Sequence, residues 1–349
     1  MTGNKSQIGP KSQAPSSKSQ KTALGIWNFG LETWIFFIFS FLNFGIWEVS
    51  AQQTPQYTQF MLNNYGMNPA ACGTSNNKME VLSGIRRQWV GFDNMPVSTF
   101  FNFNSYFGRK GGGLSKGWHG VGAYWQGDRM GTNIRTDDFY VSYTYLMRMT
   151  HGGFMSFGMA AGARRFHMGF NDIADPILVG KNVWLYPDFI PGVKFFNNNW
   201  TFDLSVRQLY KYKAKQGNDL IGTGSPLPPH LYFTTTYKWW ARSYLLVVHS
   251  FQMKYTFSSL PSFDYNVLVH LNKHLAVGMN YRHLDSFAAI VQYRWDKLVV
   301  GFAYDYSIAP YRVGFANSQE MMLGLSPSPY GGSEGQQHYQ TAQCPTFKY

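Results

Sequence analysis

Charge is scarce in this sequence. Lysine, arginine, aspartate and glutamate together make up 14% of its 349 residues, well below the roughly 25% of soluble globular proteins. Cysteine is scarcer still, with only Cys72 and Cys344, too few for a disulfide-stapled scaffold. Long apolar runs are also wanting. One stretch near the N-terminus approaches the ~20 residues that a membrane-crossing helix needs, which excludes a multi-helix membrane protein. No Walker loop, dinucleotide fingerprint, HExxH or CxxC is found, so the common marks of nucleotide, zinc and thiol-redox chemistry are lacking. Gly111-Gly112-Gly113 has no helix after it and reads as a turn, and Gly224-Ser225-Pro226 lacks the nucleophile-elbow pattern. His270 and His274 have the spacing of a helical metal pair, but a strand end and a turn separate them. No catalytic residue, metal or cofactor is expected, and the chain does not read as an enzyme.

Aromatic residues, in contrast, are abundant: 29 Phe, 23 Tyr and 11 Trp amount to 18%. Mean hydropathy is only −0.27. Low charge, many aromatics and middling hydropathy suit a β-barrel in a membrane, where lipid-facing and lumen-facing side chains alternate and cancel in the average. The net charge of +12 is compatible with an anionic surface. The basic residues are spread along the predicted strands without a stripe or a recognised binding fold, so no nucleic-acid partner is expected.

Residues 1–51 read as a signal peptide cleaved after Ala51. Lys5, Lys11, Lys18 and Lys21 precede an apolar core that starts at Trp34, and Val49-Ser50-Ala51 places compact residues before the cut. The competing reading, a single transmembrane anchor, is disfavoured by Asn43 and Glu48 within the run.

Beyond it the pattern has period two. Leu275, Val277, Met279 and Tyr281 share one face, while Ala276, Gly278, Asn280 and Arg282 share the other. The same alternation recurs from Phe263, Phe287, Leu298 and Trp200. About fourteen strands are predicted, near 79–90, 97–107, 119–128, 136–148, 153–166, 186–196, 200–211, 229–240, 242–256, 262–272, 275–284, 286–295, 298–308 and 318–326. Links after even strands are tight: Asn197-Asn198-Asn199, Ala241, Lys273-His274 and Asp296-Lys297. Links after odd strands are long, at 167–185, 212–228 and 309–317, with Arg109 to Lys116 and Asp285 as exceptions to the rule. Short periplasmic turns and longer outer loops have this parity. The expected fold is therefore all-β: a transmembrane antiparallel up-and-down barrel over 78–326 in the outer membrane of a Gram-negative cell. A periplasmic N-terminal segment (52–77) precedes it, and a polar periplasmic tail (327–349) follows.

Asp203, Arg207, Asp264, Asn280, Arg282, Arg294 and Asp305 fall on the polar faces. They are expected to form a paired network filling a narrow lumen; the alternative is the lining of a solute path, which would make the chain a porin-like transporter. Trp89, Trp125, Trp239, Trp240 and Trp295 are expected to anchor at the bilayer interfaces.

The segment from Gln53 to Gly73 resembles the opening of mature PorP/SprF proteins, which tend to begin "QDPQFTQYMFN…NPAYAG". Gln56, Thr58, Gln59, Met61, Asn63, Asn68, Pro69, Ala70 and Gly73 fit that pattern; Thr54 replaces its acidic residue, and Ala71-Cys72 its Tyr-Ala pair. Arg87-Gln88-Trp89-Val90-Gly91 with Pro96 is similar to the family's first-hairpin motif "RxQW…G…P", with the arginine one place closer to the tryptophan. Tyr304-Asp305-Tyr306 with Gln319-Glu320, and the terminal Cys344-Pro345, resemble its closing hairpin and tail. The resemblance implies a non-enzymatic outer-membrane component of the Bacteroidota type IX secretion and gliding machinery. Such a component would assist export or anchoring of a secreted adhesin, or link a periplasmic ring or a peptidoglycan-linked lipoprotein to the outer membrane. Gln56, Gln59, Asn63, Asn68, Pro69, Arg87, Gln88 and Trp89 then become candidates for plugging the lumen or docking a partner. Cys72 and Cys344 would lie on the same oxidising side, where a disulfide between them is permitted.

Overall fold

In a computed structural model, the structure describes residues 55–75, 77–109, 116–149, 152–169, 183–209, 228–242, 245–256, 260–271, 274–308 and 317–326. The predicted signal peptide, the C-terminal tail and most of the three long loops lie outside them. Fourteen strands follow one another: β1 (Met79–Arg87), β2 (Val97–Phe107), β3 (Gly117–Met130), β4 (Ile134–Arg148), β5 (Phe154–Met168), β6 (Val183–Phe196), β7 (Trp200–Arg207), β8 (His230–Arg242), β9 (Leu245–Thr256), β10 (Ser262–His270), β11 (Leu275–Arg282), β12 (Ser286–Trp295), β13 (Leu298–Ser307) and β14 (Ser318–Leu325). Each pairs antiparallel with its sequence neighbours, and β1 pairs with β14, so the sheet closes on itself. Closure leaves no strand edge unpaired, which is what allows a sheet to sit in hydrocarbon.

The side-chain alternation of the sequence becomes an inside and an outside. On β4, Tyr140, Ser142 and Thr144 are buried, while Phe139, Val141 and Tyr143 are each more than half exposed, at 54%, 55% and 51%. The outward row continues around the barrel through Phe157, Met159, Phe189, Leu204, Met279, Val291, Phe302 and Leu323. An exposed apolar surface of this extent far exceeds what a soluble monomer tolerates, and matches the lipid-facing band of a membrane barrel. Trp89, Trp239 and Trp295 stand outward and exposed and Trp125 is outward and half-buried. Trp240 departs from the expectation: it turns inward and packs against the cluster around Leu246 and Val248.

The two ends of the barrel differ. At one, the turn end, links such as Asn197–Asn199 are tight; Asn197 Oδ1 accepts hydrogen bonds from the backbone N–H of Asn199 and Trp200 at 2.9 and 2.7 Å. Ala241 belongs to β8, and a bulge between Trp240 and Arg242 absorbs the expected turn residue. At the other, the loop end, β3 and β4 run longer than the pattern suggested and are joined by Gly131-Thr132-Asn133 alone. That tight link, with His283-Leu284-Asp285, adds to the exceptions on the long side. Strand β1 stops at Arg87 because Trp89 takes a φ of +56°, and β7 stops at Arg207 because Gln208 takes +57°.

Residues 57–75 do not lie outside the barrel. They fill it. Tyr57 to Phe60 and Asn63 to Ser75 are almost all buried, shaped by a one-turn helix α1 (Asn64–Met67) and a 3₁₀ turn at Pro69–Ala71. Tyr57, Tyr65, Met67 and Ala71 pack against Leu82, Phe100, Tyr124, Tyr140, Ile190 and Met322 from the wall.

Candidate functional site

In the lumen plug, residues distant in sequence converge on a specific polar arrangement. Its first contact is at the loop end. The backbone N–H groups of Thr58 and Gln59 donate to the two oxygens of Glu320 at 2.8 and 2.9 Å. The Thr58 hydroxyl donates to Asp305 and accepts from Arg86 Nη1 at 2.9 Å. Arg86 bridges the two carboxylates, at 2.6 Å from Asp305 and 3.3 Å from Glu320. All four groups are buried, so these charge-assisted bonds are strong and costly to break. Next to them Arg282 meets Asp264 at 2.8 Å and Asp285 at 3.1 Å, and Lys254 meets Asp264 at 2.5 Å.

The chain then crosses the lumen. The Gln59 side chain accepts from Gln292 Nε2 at 3.2 Å, and Asn63 Oδ1 accepts from Asn102 at 2.8 Å. Tyr65 shares a 2.6 Å hydrogen bond with Ser142. Arg207 donates to the Gly66 carbonyl and lies 5.5 and 5.8 Å from the ring centroids of Tyr124 and Tyr232. Asn68 caps the 3₁₀ turn by accepting from Ala70 N–H at 2.9 Å, and donates to Asp203, which Lys194 neutralises at 3.2 Å. Thr144, Ser156 and Ser205 donate to the carbonyls of Pro69, Ala70 and Met67 at 2.8, 2.5 and 2.8 Å. The wall thus satisfies backbone groups that regular structure leaves open.

Space for the plug comes from glycine. Gly158 and Gly192 face each other across the β5–β6 pair. A methyl group at Gly158 would lie 2.5 Å from Ala70 Cα, and one at Gly192 would strike Asn68 Oδ1. Isolated glycines in a strand are the expected mark of such a close backbone approach. Two small cavities remain beside the plug: about 10 Å³ next to Phe60, Met61, Asn64 and Met67, and about 40 Å³ next to Leu62, Tyr65, Glu80 and Leu82. Those volumes correspond to roughly one water and a few.

Cys72 is fully buried where the segment returns toward β1, with its carbonyl against Gly120. It is a free thiol, and burial pushes its pKa up to about 12. Cys344, its proposed partner, lies outside the described residues. In the native protein at pH 8 Cys72 is expected to react with a maleimide at least a thousandfold more slowly than after denaturation, because both thiolate and access are lacking. A stoichiometric adduct formed on the native barrel within minutes would count against this burial.

The residues singled out from the sequence divide cleanly. Gln59, Asn63, Asn68 and Pro69 are plug residues in contact with the wall, and Gln56 is half-buried at the start of the segment. Asp203, Arg207, Asp264, Arg282 and Asp305 are buried and paired as described, and Asn280 is buried opposite Asn266. Arg294 is half-buried at the turn end. Arg87 requires a correction. It faces outward, because side chains alternate across the strand, and its neighbour Arg86 is the arginine that meets the plug. Arg86 also stands at the R-x-Q-W spacing from Gln88 and Trp89. Gln88 donates its N–H to the Pro96 carbonyl at 3.0 Å and Trp89 is exposed, so these two close the β1–β2 hairpin.

A family model described as type IX secretion system membrane protein PorP/SprF matches residues 49–325. The chain belongs to the PorP/SprF family. The match takes in the whole plug and all fourteen strands, and the protein is an outer-membrane β-barrel. No curated protein sequence matches the chain. Among solved structures, the barrel is similar to the Ralstonia pickettii toluene transporter TbuX, at 12% identity and a TM-score of 0.44 over 77% of this chain and 92% of that one. It is also similar to the P. putida toluene transporter TodX, at 9% identity and 0.47 over 79% and 95%. The CymD monoaromatic hydrocarbon channel gives 11% and 0.47 over 78% and 93%.

Arg86, Glu320, Lys194, Gly158 and Gly192 escaped the sequence reading of the PorP/SprF plug. Lone glycines at inward positions of β5 and β6 were a readable signal for the last two. Arg86 stood at the R-x-Q-W spacing and Glu320 in the closing-hairpin motif, but neither motif points to a contact with the plug.

Proposed function

We propose that the protein is a plugged, non-enzymatic scaffold of the type IX secretion machinery. It assists the export or anchoring of a surface adhesin, or ties a periplasmic ring or a peptidoglycan-linked lipoprotein to the outer membrane. The observation that carries this reading is the filled lumen: a segment held by the Arg86–Asp305–Glu320 group occupies the path that a solute would take. The barrel then acts through its surfaces. In this reading the turn end, from which β1 departs, faces the periplasm, and the loop end faces the medium.

Two measurements test it. Mild-detergent purification of the tagged full chain is expected to bring down type IX subunits, and deletion is expected to block display of a surface protein. Recovery of unrelated barrels alone would remove the main support. In planar bilayers the wild-type protein is expected to give no sustained conductance. Steady, solute-selective currents would favour the porin-like transporter instead.

A further inference from the structure

Outside the lumen, the arginines of the barrel are unevenly placed. Arg129 on β3 stands directly opposite Arg135 on β4, and Arg135 directly opposite His167 on β5. Arg165 lies two residues from His167 on the same outward face. Arg129, Arg135 and Arg165 are all exposed. Asp137 is the one acid among them, held by Arg135 at 3.0 Å and standing directly opposite Arg165; Arg129 and Arg165 make no ion pair within 4 Å among the described residues, so three cations share one acid. Like charges directly opposite on a sheet destabilise it, so this row sits unbalanced in the isolated chain.

Its position supplies the counter-charge. Along the same strands toward the turn end, past Gly127 and Asp137, the outward positions become Trp125, Phe139 and Ala163, the start of the lipid-facing band. The row therefore lies where headgroups meet acyl chains. On the opposite wall that level is apolar or aromatic, with Leu231, Tyr255, Phe287 and Tyr306. A general response to an anionic leaflet would have charged both walls alike. Guanidinium groups form bidentate bonds with phosphate.

We propose that Arg129, Arg135 and Arg165 form a binding site for the phosphorylated headgroup of a lipid in the leaflet at the loop end, with its acyl chains against Trp125 and Phe139. The site belongs to the barrel wall and does not depend on the secretion role.

The test uses the full chain in zwitterionic detergent, titrated with short-chain phosphatidic acid and read by tryptophan emission and by the thermal midpoint of the barrel. Phosphatidic acid is expected to raise the midpoint and to bind about fivefold more weakly for each arginine changed to glutamine. In R129Q/R135Q/R165Q most of the rise is lost, while the midpoint without lipid stays level or increases as repulsion is relieved. Lys297→Gln, at the turn end, should leave binding unchanged. If the triple variant does not fold, Arg165→Gln alone carries the test. An equal rise in wild type and variant overturns the site. A rise produced by inorganic phosphate alone, with no further effect of the lipid, overturns the lipid assignment.

Discussion

An Arg86→Ala barrel is expected to keep its fourteen strands and lose its plug. Arg86 is the cation shared by Asp305 and Glu320, and it also donates to the Thr58 hydroxyl. Without it Glu320 remains buried with no ion pair among the described residues, and Asp305 keeps only Arg282 at 4.0 Å; breaking a buried ion pair in this way costs about 3–5 kcal/mol. The strands cannot relieve this cost, because their backbone bonds fix them in the closed sheet. The segment from Tyr57 can, by leaving the lumen and admitting water. Cys72 reports the outcome. Its alkylation in the native variant should accelerate by between about a hundredfold and several thousandfold, the rate equivalent of that cost, with the heat-modifiable gel mobility of the barrel preserved. Arg86→Lys keeps the charge but loses the fork that spans both acids, so it should fall between the two. An unreactive Cys72 in Arg86→Ala would show that this charge group does not hold the segment.

Gly158→Leu should give the same phenotype by a different cause. Here no charge changes; the notch formed by Gly158 and Gly192 is filled, and Asn68-Pro69-Ala70 has nowhere to sit. Overpacking of this kind costs about 1–3 kcal/mol when neighbours can shift, and more against backbone. The adjacent Met159→Leu, exposed and facing outward, should be silent in the same assay. If Gly158→Leu leaves both Cys72 protection and stability unchanged, the notch is not needed for seating the segment.

The wall of the molecule was legible in the sequence because the bilayer imposes a strict rule on it: every second residue must be apolar. Most of the strands follow from that rule, but alternation is weak in the second, sixth and ninth, and the last, Ser318–Leu325, is read largely from its position. Their ends did not follow, since single residues with positive φ, Trp89 and Gln208, stop β1 and β7 where the alternation would have continued. The interior was legible in type but not in pairing. Asp203 and Arg207 read as lumen residues, yet their partners Asn68, Lys194 and Gly66 lie on other segments. The first-hairpin arginine was misplaced by one residue, from Arg86 to Arg87. On a strand that error reverses the side of the wall. Thr58 and Gln59 stood out in the motif, but nothing local explains them, because their acceptor is Glu320 on the last strand.

That distance has a consequence for how the protein is made. Thr58 is among the earliest of the described residues to be synthesised, and Glu320 and the β14 ladder among the last. A chain cut short before β14 has neither a partner for β1 nor an acceptor for the Thr58 and Gln59 amides. The same strand that closes the cylinder therefore also supplies the acceptor that holds its contents. Completion of the polypeptide is in this way checked from within, and a truncated product is left both open at its seam and empty at its centre.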